Sequence, residues 1–166
     1  MACRGLLMAL TDEQEGELLA AFEAGDEAVL DAVKAVESLW DEEHLAQLQK
    51  LWDPIHRCLT DGTTDPKGGT YPLNRAILNG RQLYTDDDYI VSFVPKNEVV
   101  DVAAALNEVT EPWMRERYFG LARTDFPQMY VNEEWCEHTL DFLAAAQEFY
   151  EQAAKDGRST VFMVDQ

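Results

Sequence analysis

A chain of 166 residues suits one domain, residues 1–166, and a domain near that size buries roughly 68–70% of its unfolded surface, enough for a core without disulfide or metal staples. Hydrophobic residues at 46%, with four Trp, seven Phe and six Tyr, exclude a disordered chain. Thirty-two acidic side chains against 13 basic ones, a formal charge of −19 with no Lys/Arg run to release counterions, argue against nucleic acid or an anionic membrane as partner and leave a basic protein as the complementary one.

Cys3 to Leu10 reads as a strand, and its short apolar stretch before the acids makes a poor signal peptide. Thr11 with Gln14 three residues on forms a capping box for a first helix carrying Leu18, Leu19 and Phe22, with Gly25 as its stop. Asp26 is placed as the cap of a second helix, whose Val29, Leu30, Val33, Val36 and Trp40 keep the helical period. A third helical region is expected from about Glu43 to Thr60, with Leu45, Leu48, Trp52, Ile55 and Leu59 on one side. Pro54 interrupts it, so the helix restarts with Asp53 as cap or kinks there. Thr63 to Thr70 is loop by its Pro and Gly content, and a short helix from Pro72 to Leu78 closes at Asn79-Gly80.

Arg81 to Tyr84 and Tyr89 to Val94 read as strands around the turn Asp86, Asp87, Asp88. Helices follow over about Lys96–Val109 and Glu111–Phe119, the latter capped by Thr110. Asn132 caps a long helix that Gly157 ends, before a last strand from Ser159 to Asp165. The pattern predicts an α+β domain: a small mixed or antiparallel sheet of 3–4 strands covered by about six or seven helices. No apolar run approaches the roughly 20 residues that cross a bilayer. Three widely spaced cysteines (Cys3, Cys58, Cys136) point to a reducing compartment, and the expected location is cytoplasmic.

The charge is uneven along the chain. Residues 1–50 carry −9 and residues 101–166 carry −8, while residues 51–100 carry only −2. The chemically richest segments fall in that middle: QKLWDPIHRCLTDGT (Gln49 to Thr63) and YPLNRAILNGRQLY (Tyr71 to Tyr84). On a helix Asp53 and His56, at i and i+3, share a face where a carboxylate can orient an imidazole, which makes them the catalytic candidates. The plain alternative is a core histidine beside Trp52 and Leu59, with Asp53 as helix cap. Arg75 and Arg81 are the anion-binding candidates through their paired N–H groups, unless they pair with local carboxylates. Trp52, Tyr71, Asn74 and Tyr84 complete the candidate ligand-binding set with His56.

No metal site and no cofactor is expected. His56 with Cys58, and Cys136 with His138, are two apart and cannot share a helical face, and zinc, calcium-loop, Walker and GxSxG signatures are all missing.

With MACRGLLMALTDEQ at the start, the two central segments, and EPWMRERYFGL later, the chain resembles the YfbM-like family of bacterial proteins, a family of unknown function. The resemblance covers nearly the whole chain and implies a single α+β domain in a soluble bacterial protein. It brings no activity, substrate or catalytic residue with it. Two functional readings stand. The first is a non-enzymatic protein-binding module, inhibitor-like or immunity-like, that presents acid to a basic partner. The second is a pocket protein or enzyme acting on a small anionic or nucleotide-like ligand at His56, Arg75 and Arg81.

Overall fold

The computed structural model describes residues 4–165. Cys3, which the sequence places in the first strand, lies outside the described residues. The strands are β1 (Arg4–Leu10), β2 (Leu45–Gln49), β3 (Arg81–Thr85), β4 (Tyr89–Val94) and β5 (Ser159–Asp165). Successive side chains of a strand leave by opposite faces, and here they enter two separate cores. Leu7 and Ala9 of β1 join one and Leu6, Met8 and Leu10 the other, just as Phe162 and Val164 of β5 part from Val161 and Met163. Strands apolar on both faces belong in the middle of a sheet covered on both sides. The sheet order is β2-β1-β5-β4-β3, and every neighbouring pair is antiparallel.

Helices α1 (Asp12–Ala24) and α2 (Asp26–Leu39) cover one face, through Leu18, Val29 and Val33. The other face carries α3 (Trp52–Leu59), α4 (Lys96–Asn107), α5 (Glu111–Gly120) and α6 (Glu133–Lys155). The ends of α1, α5 and α6 follow the sequence signals closely. Thr11 and Gln14 exchange both bonds of the capping box, at 3.2 and 2.9 Å. Thr110 accepts from the Trp113 N–H at 3.3 Å and Asn132 from the Trp135 N–H at 3.1 Å. Past the end of α6, Gly157 takes a φ of 64°. Its N–H donates to Ala154 and that of Arg158 to Ala153, the paired closure a left-handed glycine permits.

Four expectations are corrected. Among the described residues the sheet has five strands rather than 3–4, because Leu45–Gln49, expected to open the third helix, is an edge strand pairing with β1. Leu45 and Leu48 fit a helical stripe by spacing, but Ala46 and Leu48 are buried in one core while Leu45 packs on the other, the alternation of a strand. The helix then starts afresh at Trp52, with Leu51 as its cap, so Asp53 is not the cap. Pro54 sits harmlessly in the first turn, where no N–H is needed, and there is no kink. Asp26 is likewise not a cap: Gly25, at a φ of 131° that side chains avoid, holds that position. The helix expected from Pro72 to Leu78 is a single 3-10 turn, Leu73–Arg75.

Among the described residues no helix is long and apolar enough to cross a membrane.

Candidate functional site

The eight residues singled out by sequence do not meet in one concavity. His56 is 0% exposed on α3, and neither of its ring nitrogens has a hydrogen-bond partner. Burial lowers its pKa to about 4, against a smaller opposing pull from Asp61, so the imidazole is neutral at pH 7. Asp53 does not orient it. The Asp53 carboxylate instead accepts from Arg57 Nε at 2.5 Å, one helical turn on. Arg57 also donates through Nη1 to Asp125 at 2.6 Å and to the Gly62 carbonyl at 3.1 Å. The guanidinium outcompetes a neutral ring for that carboxylate because it is charged and long enough to reach it. The Asp53–His56 acid–base pair is therefore not formed.

Arg75 donates to the Asn79 carbonyl, stands 3.7 Å from Glu98 and lies 6.0 Å from the Tyr71 ring centre. Tyr71 donates to Asp101 at 2.5 Å. Arg81 stacks 4.8 Å over Phe22 of α1, and Tyr84 donates to Asp86. Phe22 and Tyr84 pack on the α1–α2 core, whereas α3 packs on the other face. The sheet thus stands between Arg81 and His56. Asn74 Oδ1 is buried without a partner, as is Asn79 Oδ1.

Trp52 and Asp53, however, border a cleft that sequence reasoning did not assemble. It has a cavity of about 160 Å³ between the β2–α3 junction, α5, the start of α6 and the loop before it. Its rings are Trp52, Tyr118, Phe126, Tyr130 and Trp135, with Pro54 and Pro127 filling the gaps. Trp52 is set in place from below. Gly5 of β1 leaves it room, since a Cβ there would come within 2.7 Å of the indole Cδ1, and Phe162 tilts against it at 5.9 Å between centroids. Tyr130 and Trp135 meet edge to face at 5.1 Å, the arrangement that aromatic quadrupoles favour. Tyr118, fully buried at its ring, donates its hydroxyl to the Tyr130 carbonyl at 2.7 Å and fixes that loop.

Three charges border the rings: Lys50, Asp53 and Arg57, whose Cζ lies 5.6 Å over Phe126. Lys50 Nζ lies 5.1 Å from the Trp135 centroid and 5.9 Å from that of Tyr130, within reach of a cation–π attraction. Asp53 lines the same cleft. Burial raises its carboxyl above the ordinary value, the bond and charge of Arg57 work against that, and Asp125 adds to it.

Among the described residues the thiols offer no nucleophile. Cys58 and Cys136 are free and buried, and burial pushes the Cys58 thiol up to about 12. The sequence hinted at the rest of the cleft through the aromatic density of FPQMY and EEWCEH, more than seventy residues from Trp52, a distance no local period connects.

The comparisons with known proteins agree with this architecture. The family described as "Domain of unknown function (DUF1877)" matches residues 1–163. Among solved structures, the chain is similar to "The Crystal Structure of a Protein of Unknown Function YfbM from Escherichia coli", with a TM-score of 0.68 and 17% identity over 99% of each chain. At that identity the likeness is one of fold. No functionally curated protein matches the chain. The chain, a YfbM-like α+β domain, belongs to the DUF1877 family.

Proposed function

We propose that the protein is a non-enzymatic binding module of the cytoplasm that grips a basic protein, as an inhibitor or immunity protein would, and that the aromatic cleft is its anchor pocket. The observation that carries this reading is a cleft walled by five aromatic rings in a molecule of net charge −19. Aromatic anchors in a partly desolvated pocket dominate the energy of protein interfaces. A surrounding field of carboxylates speeds the approach of a basic partner and selects against acidic ones. The Asp53–His56 pair does not compete with this reading, since Asp53 is engaged by Arg57 and His56 is neutral and enclosed.

The test is affinity capture from the native host at low and at high ionic strength, comparing the natural chain with Tyr130→Ala. A basic partner held at low salt, released at high salt and lost by the variant supports the proposal. Recovery of no partner, or of one indifferent to salt, counts against it.

A second reading rests on a different observation. His56 and Asn74 keep buried polar atoms with no hydrogen-bond partner on α3 and the neighbouring 3-10 turn. Buried orphans of this kind are uncommon and invite a small polar or anionic ligand. Titration with phosphate or a nucleoside monophosphate, followed by the ring signals of His56 in NMR, decides it. An unmoved histidine spectrum at saturating ligand removes the reading.

A further inference from the structure

We propose that the aromatic cleft is a cage for a methylated ammonium group, the side chain of a methylated lysine on the partner, and that Lys50 is its resident intramolecular guest. This rests on the partner-binding reading above and names the chemistry that its anchor pocket would select.

A cation stands at the mouth of the cleft, Lys50 Nζ, 5.1 Å from Trp135 and 5.9 Å from Tyr130. The rings therefore form a surface on which positive charge is held, the recurring device for recognising quaternary ammonium groups. Lys50 itself is exposed and follows Gln49, whose left-handed φ of 50° ends β2. It can leave for solvent without disturbing the fold.

The lining also discriminates between kinds of ammonium. A bare lysine ammonium carries three donors that demand acceptors. The carboxylate at the cleft, Asp53, is already bonded to Arg57, and apart from Lys50 the walls are otherwise rings, two prolines and Leu51. A trimethylated ammonium has no donors to satisfy. It keeps its charge for the rings and for the negative field of the molecule, and its methyl groups add contact area. Approximately 160 Å³ is room for such a head group once the lysine has swung out.

The experiment uses the full chain and three blocked single residues: Nα-acetyl-trimethyllysine amide, the unmethylated lysine amide, and the neutral tert-butyl isostere. Choline is the fourth probe, and binding is followed by tryptophan fluorescence and NMR. The expected order is trimethyllysine first, unmethylated lysine second, the isostere last. Lys50→Ser, by removing the competing guest, tightens the trimethyllysine amide about 2- to 5-fold, the factor corresponding to an exposed cation–π contact. Trp135→Leu abolishes binding and Trp135→Phe retains part of it, with a cooperative thermal melt in both showing that the chain still folds.

An isostere that binds as well as the cation would show a merely greasy pocket and overturn the cage. Indifference to Trp135→Leu would place the site elsewhere and also overturn it, and a Lys50→Ser variant that binds no better would overturn the resident-guest role. Choline bound more tightly than the trimethyllysine amide would assign the site to a small solute and overturn the protein side chain. Failure of the cage and failure of the partner reading remain separable. A partner lost by Tyr130→Ala with no probe binding overturns the cage alone, while probes bound normally with no protein captured support the cage and overturn the partner.

Discussion

His56 carries a cost that depends on pH. Its pKa falls from 6.5 to about 4 on folding because the ring is enclosed. Between those values the unfolded chain binds a proton that the folded one refuses, so stability is full above 6.5 and declines as pH falls toward 4. The accumulated loss is on the order of 3 kcal/mol. Urea midpoints measured from neutral to mildly acidic pH should fall more steeply for the natural chain than for His56→Leu. At pH 7 that variant should be close to neutral, because it removes two ring nitrogens that have no partner. A marked loss at pH 7 would show that the ring holds something in solution. Gly5 acts by yielding space to Trp52. Gly5→Ala drives a methyl into the indole and should cost about 1–3 kcal/mol, with an altered tryptophan emission that reports the displaced cleft wall. Cys58, raised to about 12 and 1% exposed, should resist iodoacetamide until the chain is unfolded, as peptide mapping would show.

At the scale of elements, the cleft depends on α3 being tied to the loops beside it. Arg57 does this, joining Asp53 in its own helix to the Gly62 carbonyl and to Asp125. Because Arg57 is buried, with its side chain 8% exposed, the guanidinium is partly shielded from water, though Asp125 is solvated and adds little. Arg57→Met should therefore cost about 2–4 kcal/mol, chiefly by stranding the Asp53 carboxylate and a buried carbonyl. The same variant should lift the Asp53 pKa further, which carbon-detected NMR of that carboxylate would read. The α6 start is simpler: Asn132→Ala removes the bond to the Trp135 N–H and should cost about 1 kcal/mol. Because Trp135 lies in that first turn, the substitution should also loosen the cleft wall. A cap loss without change in Trp135 emission would separate the two effects.

At the scale of the whole molecule, like charge is the dominant field. A net −19 over 8446 Å² of surface repels itself in the compact state more than in the expanded one. Moderate sodium chloride should raise the urea midpoint by screening this repulsion, while the same salt weakens any basic partner. Those opposite trends, measured side by side, would distinguish general self-repulsion from a specific recognition surface. Lys50, Arg57, Arg75, Arg81 and Arg117 each lie over an aromatic ring. The scarce cations are thus held on rings as well as beside the abundant carboxylates.

Much of this was written into local sequence. Capping boxes, left-handed glycines and apolar periods act over a few residues, so the start of α1, the ends of α6, the β3–β4 hairpin and the strands at both ends of the described chain could be read directly. The segment Leu45–Gln49 could not, since LxxL satisfies a helix and a strand alike until β1 offers a pairing edge. The candidate site divided in the same way. Trp52 and Asp53 were legible as a dense polar–aromatic motif, but their neighbours Tyr118, Phe126, Tyr130 and Trp135 come from other elements. Only the packing of α5 and α6 against α3 made them one cleft. The fate of Asp53 was also tertiary: burial around α3 left His56 uncharged, so the carboxylate went to Arg57. Short-range steric and hydrogen-bond preferences decide elements, whereas which side chains share a low-dielectric space is decided by how those elements close on each other.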